Sequence, residues 1–406
     1  MTIKGLVICD YPFPVGMAAS NRILAYSEGL AANGVMLDVL TKTPSKSENG
    51  SQSLDGHRTV YYSSHYSGSA TFFKRNLWDL RFRNLRFLYF VWKLGSRKEV
   101  CFILISFDNT FLIWFVLPIL LLNNKPMGFV SDEFPPSIRA RKDEITHFEY
   151  YTYKLFHSFL KFRILMSSAL SNYYSGLFSK KPDNLILNTI VSSGFIEECE
   201  KHTVTDESFF DSKLNLVYMG NMELAKDNVD NIVRAMSLLI VEFPRIQLHL
   251  YGQANTDDCV YLENLIAKLG LLENVFLKGK VSRDRVPEIL CKANLLVSSQ
   301  PNSFRAQGGF PTKLGEYWSS SRPVLFTNVG ELSYFVKDGK NGFLVSPDSP
   351  LDYARKVKYI LTNSRLGDLV GKNGYKELKS NFVSERATEQ LALYLKSKYN
   401  KSCKND

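Results

Sequence analysis

The chain has 406 residues, of which 45 % are hydrophobic and 22 % charged, a composition and length that fit two globular domains of about 150–200 residues, each with its own core. A net charge of +10 points to an acidic partner, whether nucleic acid, anionic lipid or a phosphorylated substrate. The six cysteines (Cys9, Cys101, Cys199, Cys259, Cys291 and Cys403) include no C-x-x-C pair, so neither a zinc site nor a disulfide frame is indicated, and they read most simply as reduced cytoplasmic thiols.

Met1–Val7 has no long apolar run, so no signal peptide is expected. Lys4–Cys9 reads as a buried strand, Gly16 sits in the loop after it, and a helix over Ala18–Asn33 ends at Gly34 before the strand VMLDVLT. Strand, glycine loop, helix and strand make one half of a doubly wound sheet. The loop lacks G-x-G-x-x-G, which argues against a nicotinamide enzyme. Residues 71–98 carry eight basic side chains and one acid, 8 − 1 = +7, interleaved with eight aromatic ones. That pattern describes a helix lying on an anionic bilayer, or a core helix with solvated charges. Nucleic acid would suit the composition, but no nucleic-acid motif is present, so none is expected as a partner. The apolar stretch over residues 100–122 is interrupted by Asp108 and Asn109 and falls short of the roughly 20 residues of a membrane span. It predicts a buried strand followed by a helix over Thr110–Leu122. Asp132 and Glu133 follow the next strand, MGFVS, at the carboxyl end where open sheets place functional residues. A carboxylate there orients or deprotonates a hydroxyl, or caps the next helix. Residues 139–175, again aromatic and basic, predict a long helix and then a strand over residues 164–174. LILNTI (185–190) closes this half as a strand.

Residues 201–213 are polar and read as a linker. After it, strands LNLVYMG, IQLHLYG, NVFLKG and Leu295–Ser298 alternate with helices after Asn228, over Asp258–Leu269 and over Asp284–Ala293. The stretch from Ser298 to Asn328 combines a strand end, a loop with Gly308 and Gly309, a helix start at Pro311-Thr312 with Thr312 as its cap, and then Lys313 and Glu316 one turn apart. A glycine loop feeding a helix start favours phosphate, while a glutamate one turn in accepts hydrogen bonds from sugar hydroxyls. Together they predict a nucleotide diphosphate with Glu316 on the ribose. The alternative is a surface Lys313–Glu316 pair beside an ordinary loop.

PTKLGEYWSSSRPVLFTNVGELSYFVKDGKNGFLV (311–345) resembles the nucleotide-sugar site of family 4 glycosyltransferases, which have the GT-B fold. The resemblance covers most of residues 212–385 and is topological over 1–190. It implies an α/β protein of two facing Rossmann-like domains: an acceptor domain over 1–200, a donor domain over 201–380, and a terminal segment, 381–406, packing back on the first. The family often has two glutamates seven residues apart; Glu316 is the second, and Gly308 stands where the first would be. Gly-Arg and a later lysine neutralise the donor diphosphate in the family. Here Gly220-Asn221 and Lys226 stand in those places, so Lys226 carries more of the charge and Arg305 substitutes for the arginine. Gly16 corresponds to the loop against the diphosphate, and Asp132 and Glu133 stand where many members have an acceptor-side histidine. The resemblance implies a retaining transfer, without metal or cofactor, from a nucleotide-sugar to a lipid-linked or polysaccharide acceptor. The basic–aromatic segment adds an anionic membrane surface, on the inner face of the cell membrane. The departures at Gly308, at Asn221 and at the missing histidine keep open a non-catalytic GT-B subunit or scaffold.

Overall fold

The computed structural model describes residues 2–14, 16, 18–43, 51–63, 72–139, 145–178, 182–202 and 214–399, with backbone alone at 72–83 and 139. The chain divides into two compact units: residues 1–190 with 384–406, and residues 191–383.

Among the described residues the first unit holds strands β1 (Ile3–Cys9), β2 (Val35–Thr41), β3 (Ser51–Ser53), β4 (Thr59–Tyr62), β5 (Val100–Ser106), β6 (Met127–Ser131), β7 (Phe162–Leu165) and β8 (Asp183–Ile186). Its helices are α1 (Ala18–Ala32), α2 (Phe72–Gly95), α3 (Thr110–Leu122), α4 (Pro136–Arg139), α5 (His147–Phe159) and α6 (Ser168–Leu177). The sheet runs β3-β4-β2-β1-β5-β6-β7-β8, parallel except for the β3–β4 pair. The continuous apolar sequence of β5 follows from this, because every one of its residues is buried between helix layers.

The second unit begins with α7 (Ser193–His202), which packs on two helices of that unit and so carries residues 191–200 with it. It continues through β9 (Asn215–Met219), α8 (Leu224–Asp227), α9 (Val229–Leu239), β10 (Gln247–Tyr251), α10 (Thr256–Lys268) and β11 (Val275–Gly279). A short 3-10 turn over Arg283–Arg285 leads into α11 (Val286–Cys291) and β12 (Leu295–Val297). Then come α12 (Phe304–Gly308), α13 (Lys313–Ser319), β13 (Val324–Thr327), α14 (Leu332–Phe335), β14 (Phe343–Val345), α15 (Pro350–Thr362) and α16 (Ser364–Asn381). The sheet is parallel, in the order β11-β10-β9-β12-β13-β14. The stripe Val229, Ile232, Val233, Met236 and Leu239 is buried, as its helical spacing requires.

Helices α17 (Ser384–Ala387) and α18 (Glu389–Tyr399) return to the first unit and pack on α1. Gly29 of α1 permits the approach: a Cβ there would lie 2.0 Å from the Ser384 carbonyl oxygen. Asn33 adds a hydrogen bond from its side-chain amide to the Glu385 carbonyl oxygen at 2.7 Å.

One expectation changes. The strand predicted over 164–174 ends at Leu165, because the Ser167 hydroxyl accepts from the Leu170 N–H at 3.1 Å and starts α6. Cys9, Cys199, Cys259 and Cys291 are free thiols, and Cys403 lies outside the described residues. No described helix is long and apolar enough to cross a membrane. The linker residues 203–213 and the side chains of Arg81 and Arg83 lie outside the described residues.

Candidate functional site

Counted from β9, the second sheet runs 3-2-1-4-5-6, so its chain direction across the sheet reverses between β9 and β12. Helices leave to opposite faces on either side of that point and open a crevice outside the carboxyl ends. Tyr317 of α13 is seated there. Its hydroxyl accepts from the Met219 N–H at 2.9 Å and donates to the Val297 carbonyl oxygen at 3.2 Å, which pins α13 across the ends of β9 and β12. Burial pushes the Tyr317 phenol above its usual range, so it stays a neutral donor. At the end of β10, Gly252 has φ +134°, and a Cβ there would lie 1.7 Å from the Gly220 carbonyl oxygen. Only glycine lets these two strand-end loops meet.

Lys313 opens α13 and forms an ion pair with Asp227, with side chains 14 % and 2 % exposed. It also donates to the Tyr218 hydroxyl at 3.0 Å and sits 4.3 Å from the centre of that ring. Tyr218 in turn donates to the Asn221 carbonyl oxygen at 2.6 Å. Burial lowers the Lys313 ammonium from its ordinary value; the Asp227 carboxylate opposes this, Lys226 adds to the lowering, and Glu316 opposes it. Lys226 and Glu316 thus both lie within electrostatic reach of Lys313. Arg305 reaches back to Glu223, Nη1 to Oε1 3.1 Å, and so lies beside the Gly220–Asp227 segment. Glu316 pairs with Arg283 at 2.5 Å, and the Arg283 guanidinium is 4.4 Å from the centre of the Phe195 ring. The Lys313–Glu316 surface pair is thus replaced by two partnerships across the fold.

The loop around the glycines differs from its expected form. Residues 304–308 form α12, started by the Ser303 hydroxyl accepting from the Ala306 N–H at 3.2 Å. Gly308 is buried in that helix, and Gly309 has φ −85°, open to any residue, so the bend does not depend on left-handed glycine. Thr312 stands at the cap position of α13 but in helical geometry, and its side chain makes no capping bond. Pro311 precedes it, its carbonyl oxygen accepting from the Leu314 N–H at 3.0 Å.

Gly16, Asp132 and Glu133 belong to the first unit. A Cβ on Gly16 would lie 2.7 Å from the Ser20 hydroxyl, so the loop folds closely over the start of α1. Asp132 is paired with Arg22 at 2.9 Å, and buried Arg22 also donates to the carbonyl oxygens of Leu187 and Asn188. The Glu133 carbonyl oxygen accepts from the Ser131 hydroxyl at 3.0 Å. That sheet has the same reversal between β1 and β5, where the Tyr11 and Ser106 hydroxyls share a hydrogen bond of 2.6 Å.

Sequence reasoning missed Asp227, Glu223, Tyr218, Arg283 and Arg22. Asp227 adjoins Lys226 in sequence, and Arg283 lies just past a strand's carboxyl end, so position was the available signal. Among the described residues no group of three or more His, Cys, Asp or Glu is disposed to hold a metal.

Residues 203–377 match the family described as glycosyl transferases group 1. The second unit is a group 1 glycosyltransferase domain. An uncharacterized glycosyltransferase of Methanocaldococcus jannaschii is 32 % identical over 125 residues, 31 % of this chain and 34 % of that protein. The poly(ribitol-phosphate) alpha-N-acetylglucosaminyltransferase of Staphylococcus aureus is 25 % identical over 164 residues, 40 % of this chain and 31 % of that protein. The matches thus span about a third of these curated relatives. The Anabaena protein HepE in complex with UDP and glucose superposes with a TM-score of 0.71 at 15 % identity, over 97 % of this chain and 100 % of that one. Sucrose-phosphate synthase from Thermosynechococcus elongatus gives 0.73 at 15 % identity, over 98 % of each chain. The chain has the GT-B fold, and its group 1 domain is the unit that holds Lys226, Lys313 and Glu316.

Proposed function

We propose that this protein is a glycosyltransferase that moves a sugar, with retention at the anomeric carbon, from a nucleotide-diphosphate donor to a lipid-linked or polysaccharide acceptor. The reading rests on one observation: α13, which carries Lys313 and Glu316, is pinned by Tyr317 across the strand ends where the order of the second sheet reverses. Lys226 and Arg305 offset the charge of the diphosphate as it leaves, which replaces a metal in that role. Glu316, held by Arg283, accepts hydrogen bonds from the ribose. Asn221, Gly308, Gly309, Pro311, Thr312 and Lys313 shape the wall around the phosphates and sugar. Asp132, oriented by Arg22, or Glu133 positions the acceptor hydroxyl, and the leaving phosphate takes its proton on the front face of the sugar. The work is done in the cytoplasm, peripherally on the inner face of the cell membrane, without cofactor or nucleic acid.

A second reading is favoured by the pairing within the chain. Lys313 is neutralised by Asp227, Arg305 by Glu223, and Glu316 by Arg283. A site whose charges are already satisfied suits a non-catalytic subunit of a glycan assembly complex.

Calorimetric titration with UDP, GDP, dTDP, ADP and their sugars, without metal, separates the two. UDP comes first, because similar structures were solved with UDP or UDP-glucose. The expected result is saturable binding of one nucleotide, weakened by about 10- to 100-fold in Glu316→Ala through loss of charge-assisted hydrogen bonds. A folded protein that binds none of them overturns the enzyme reading and leaves the subunit.

A further inference from the structure

We propose that the crest formed by α3 and α5, with the last turns of α2 beside it, is the surface on which this protein docks onto an anionic lipid bilayer. The proposal deepens the membrane part of the function above and rests on residues apart from the donor site.

Helix α3 is apolar on every side. Leu112, Ile113, Val116, Leu117 and Leu120 face the core. The opposite stripe is Phe111, Trp114, Phe115 and Leu122, with Phe115 63 % and Leu122 78 % exposed. A helix on a water-facing surface carries polar residues on its outer side; one without any belongs in a core or in lipid. The stripe continues onto α5. The Phe111 and Phe148 rings lie 5.2 Å apart, and the Trp114 indole N–H donates to the Thr152 hydroxyl at 3.0 Å. Tyr151 and Leu155 extend it along α5, and Tyr89 and Trp92 of α2 flank it. The buried side of α2 is Phe87, Val91 and Leu94, so its exposed aromatics are not held outward for want of a core face.

Charge decides the partner. Arg86 lies 5.8 Å from the centre of the Phe90 ring, Lys93 5.6 Å from Tyr89 and Lys154 5.7 Å from Tyr150, so each cation caps an aromatic at the rim of the patch. Among the described side chains of α2, α3 and α5 the one acid is Glu149. It is buried, and its carboxylate accepts from the Ser137 N–H at 3.1 Å. An apolar crest with basic side chains at its rim fits the interface of an anionic bilayer: aromatics enter the acyl boundary and cations stay among the headgroups. A second copy of this chain fits poorly, since a two-fold interface sets basic rim against basic rim.

The test is co-sedimentation of the full chain with phosphatidylglycerol vesicles and with phosphatidylcholine vesicles. Binding is expected to phosphatidylglycerol, falling as salt rises. Phe115→Glu with Leu122→Glu, both exposed, is expected to reduce it by about tenfold or more while melting temperature and nucleotide binding stay unchanged. Arg86→Gln with Lys93→Gln and Lys154→Gln is expected to remove the preference for anionic lipid. Undiminished vesicle binding by the Phe115/Leu122 variant overturns the proposal. So does a wild-type dimer in sedimentation velocity that the same variant turns into monomer. Failure of nucleotide binding in wild type would sink the donor assignment alone and leave the vesicle result standing.

Discussion

Replacing Lys313 with methionine tests whether the cation at the head of α13 is a structural partner or a group held ready for the donor. The substitution keeps the length of the side chain and removes its charge. Asp227, 2 % exposed, then remains as a buried carboxylate without its ion-pair partner. Breaking one half of a buried pair costs about 3–5 kcal/mol, far more than the ~1 kcal/mol or less of an exposed pair. Asp227→Asn in the same chain removes the stranded charge, so the double variant is expected to regain about 2–3 kcal/mol of that loss, a coupling typical of residues in one network. Trp318 reports on the second unit: it is the one tryptophan between residues 191 and 383, and its indole donates to the Asn341 carbonyl oxygen at 2.8 Å. Urea unfolding followed by fluorescence, with Trp78, Trp92 and Trp114 replaced by phenylalanine, gives the four corners of the cycle. A cost below about 1 kcal/mol for Lys313→Met, or a double variant no better than the single, would refute the buried-pair reasoning.

Arg283→Met frees Glu316 from its partner while leaving its carboxylate in place. It is expected to weaken nucleotide binding by about 1–2 kcal/mol, roughly 5- to 30-fold, with Arg283→Lys recovering part of it; an unchanged titration isotherm would show that Glu316 is oriented without it. Gly252→Ala forces a methyl group to within 1.7 Å of the Gly220 carbonyl oxygen at a φ of +134°, and is expected to cost about 3 kcal/mol or more. A melting temperature within a degree of wild type would mean the two loops separate freely. His249 stacks on Phe276 with ring centres 5.3 Å apart, and burial, followed by the Lys278 charge, pulls its pKa down to about 4. The folded unit therefore holds it neutral, and the stability this gives is present above about pH 6.5 and is lost as pH falls from 6.5 toward 4. With solvent screening allowed for, wild type should lose about 1–2 kcal/mol more than His249→Gln over that range, and parallel denaturation curves would contradict it.

The sequence by itself determined the alternation of strands and helices and, with it, both doubly wound sheets. Helix α3 begins and ends where the apolar run and Asn109 predict, because Asn109 caps it by accepting from the Leu112 N–H at 3.1 Å. Such features are local: one side chain, one turn, one period. Local rules misread residues 164–174 as a strand, since the apolar content outweighed a serine cap three residues long in its reach. Helix α16 carries Gly367, Gly371 and Gly374, residues that weaken a helix taken by itself. In the fold they are a small-residue stripe: a Cβ on Gly371 would lie 2.3 Å from the Ser321 carbonyl oxygen, and one on Gly374 2.3 Å from the Trp318 ring. At the site, sequence assigned Lys226, Lys313 and Glu316 to one donor site and offered a Lys313–Glu316 surface pair as the alternative. Lys313 and Glu316 share a helix face, yet their partners, Asp227 and Arg283, lie 86 and 33 residues away in the chain. Only tertiary structure chose between those pairings, because a charge buried at a strand end must be met by whichever opposite charge the sheet order brings there, and chain distance has no part in that choice. The same holds for α3: its sequence says that it is apolar all round, and only the packing of α2 and α5 beside it says which side stays uncovered.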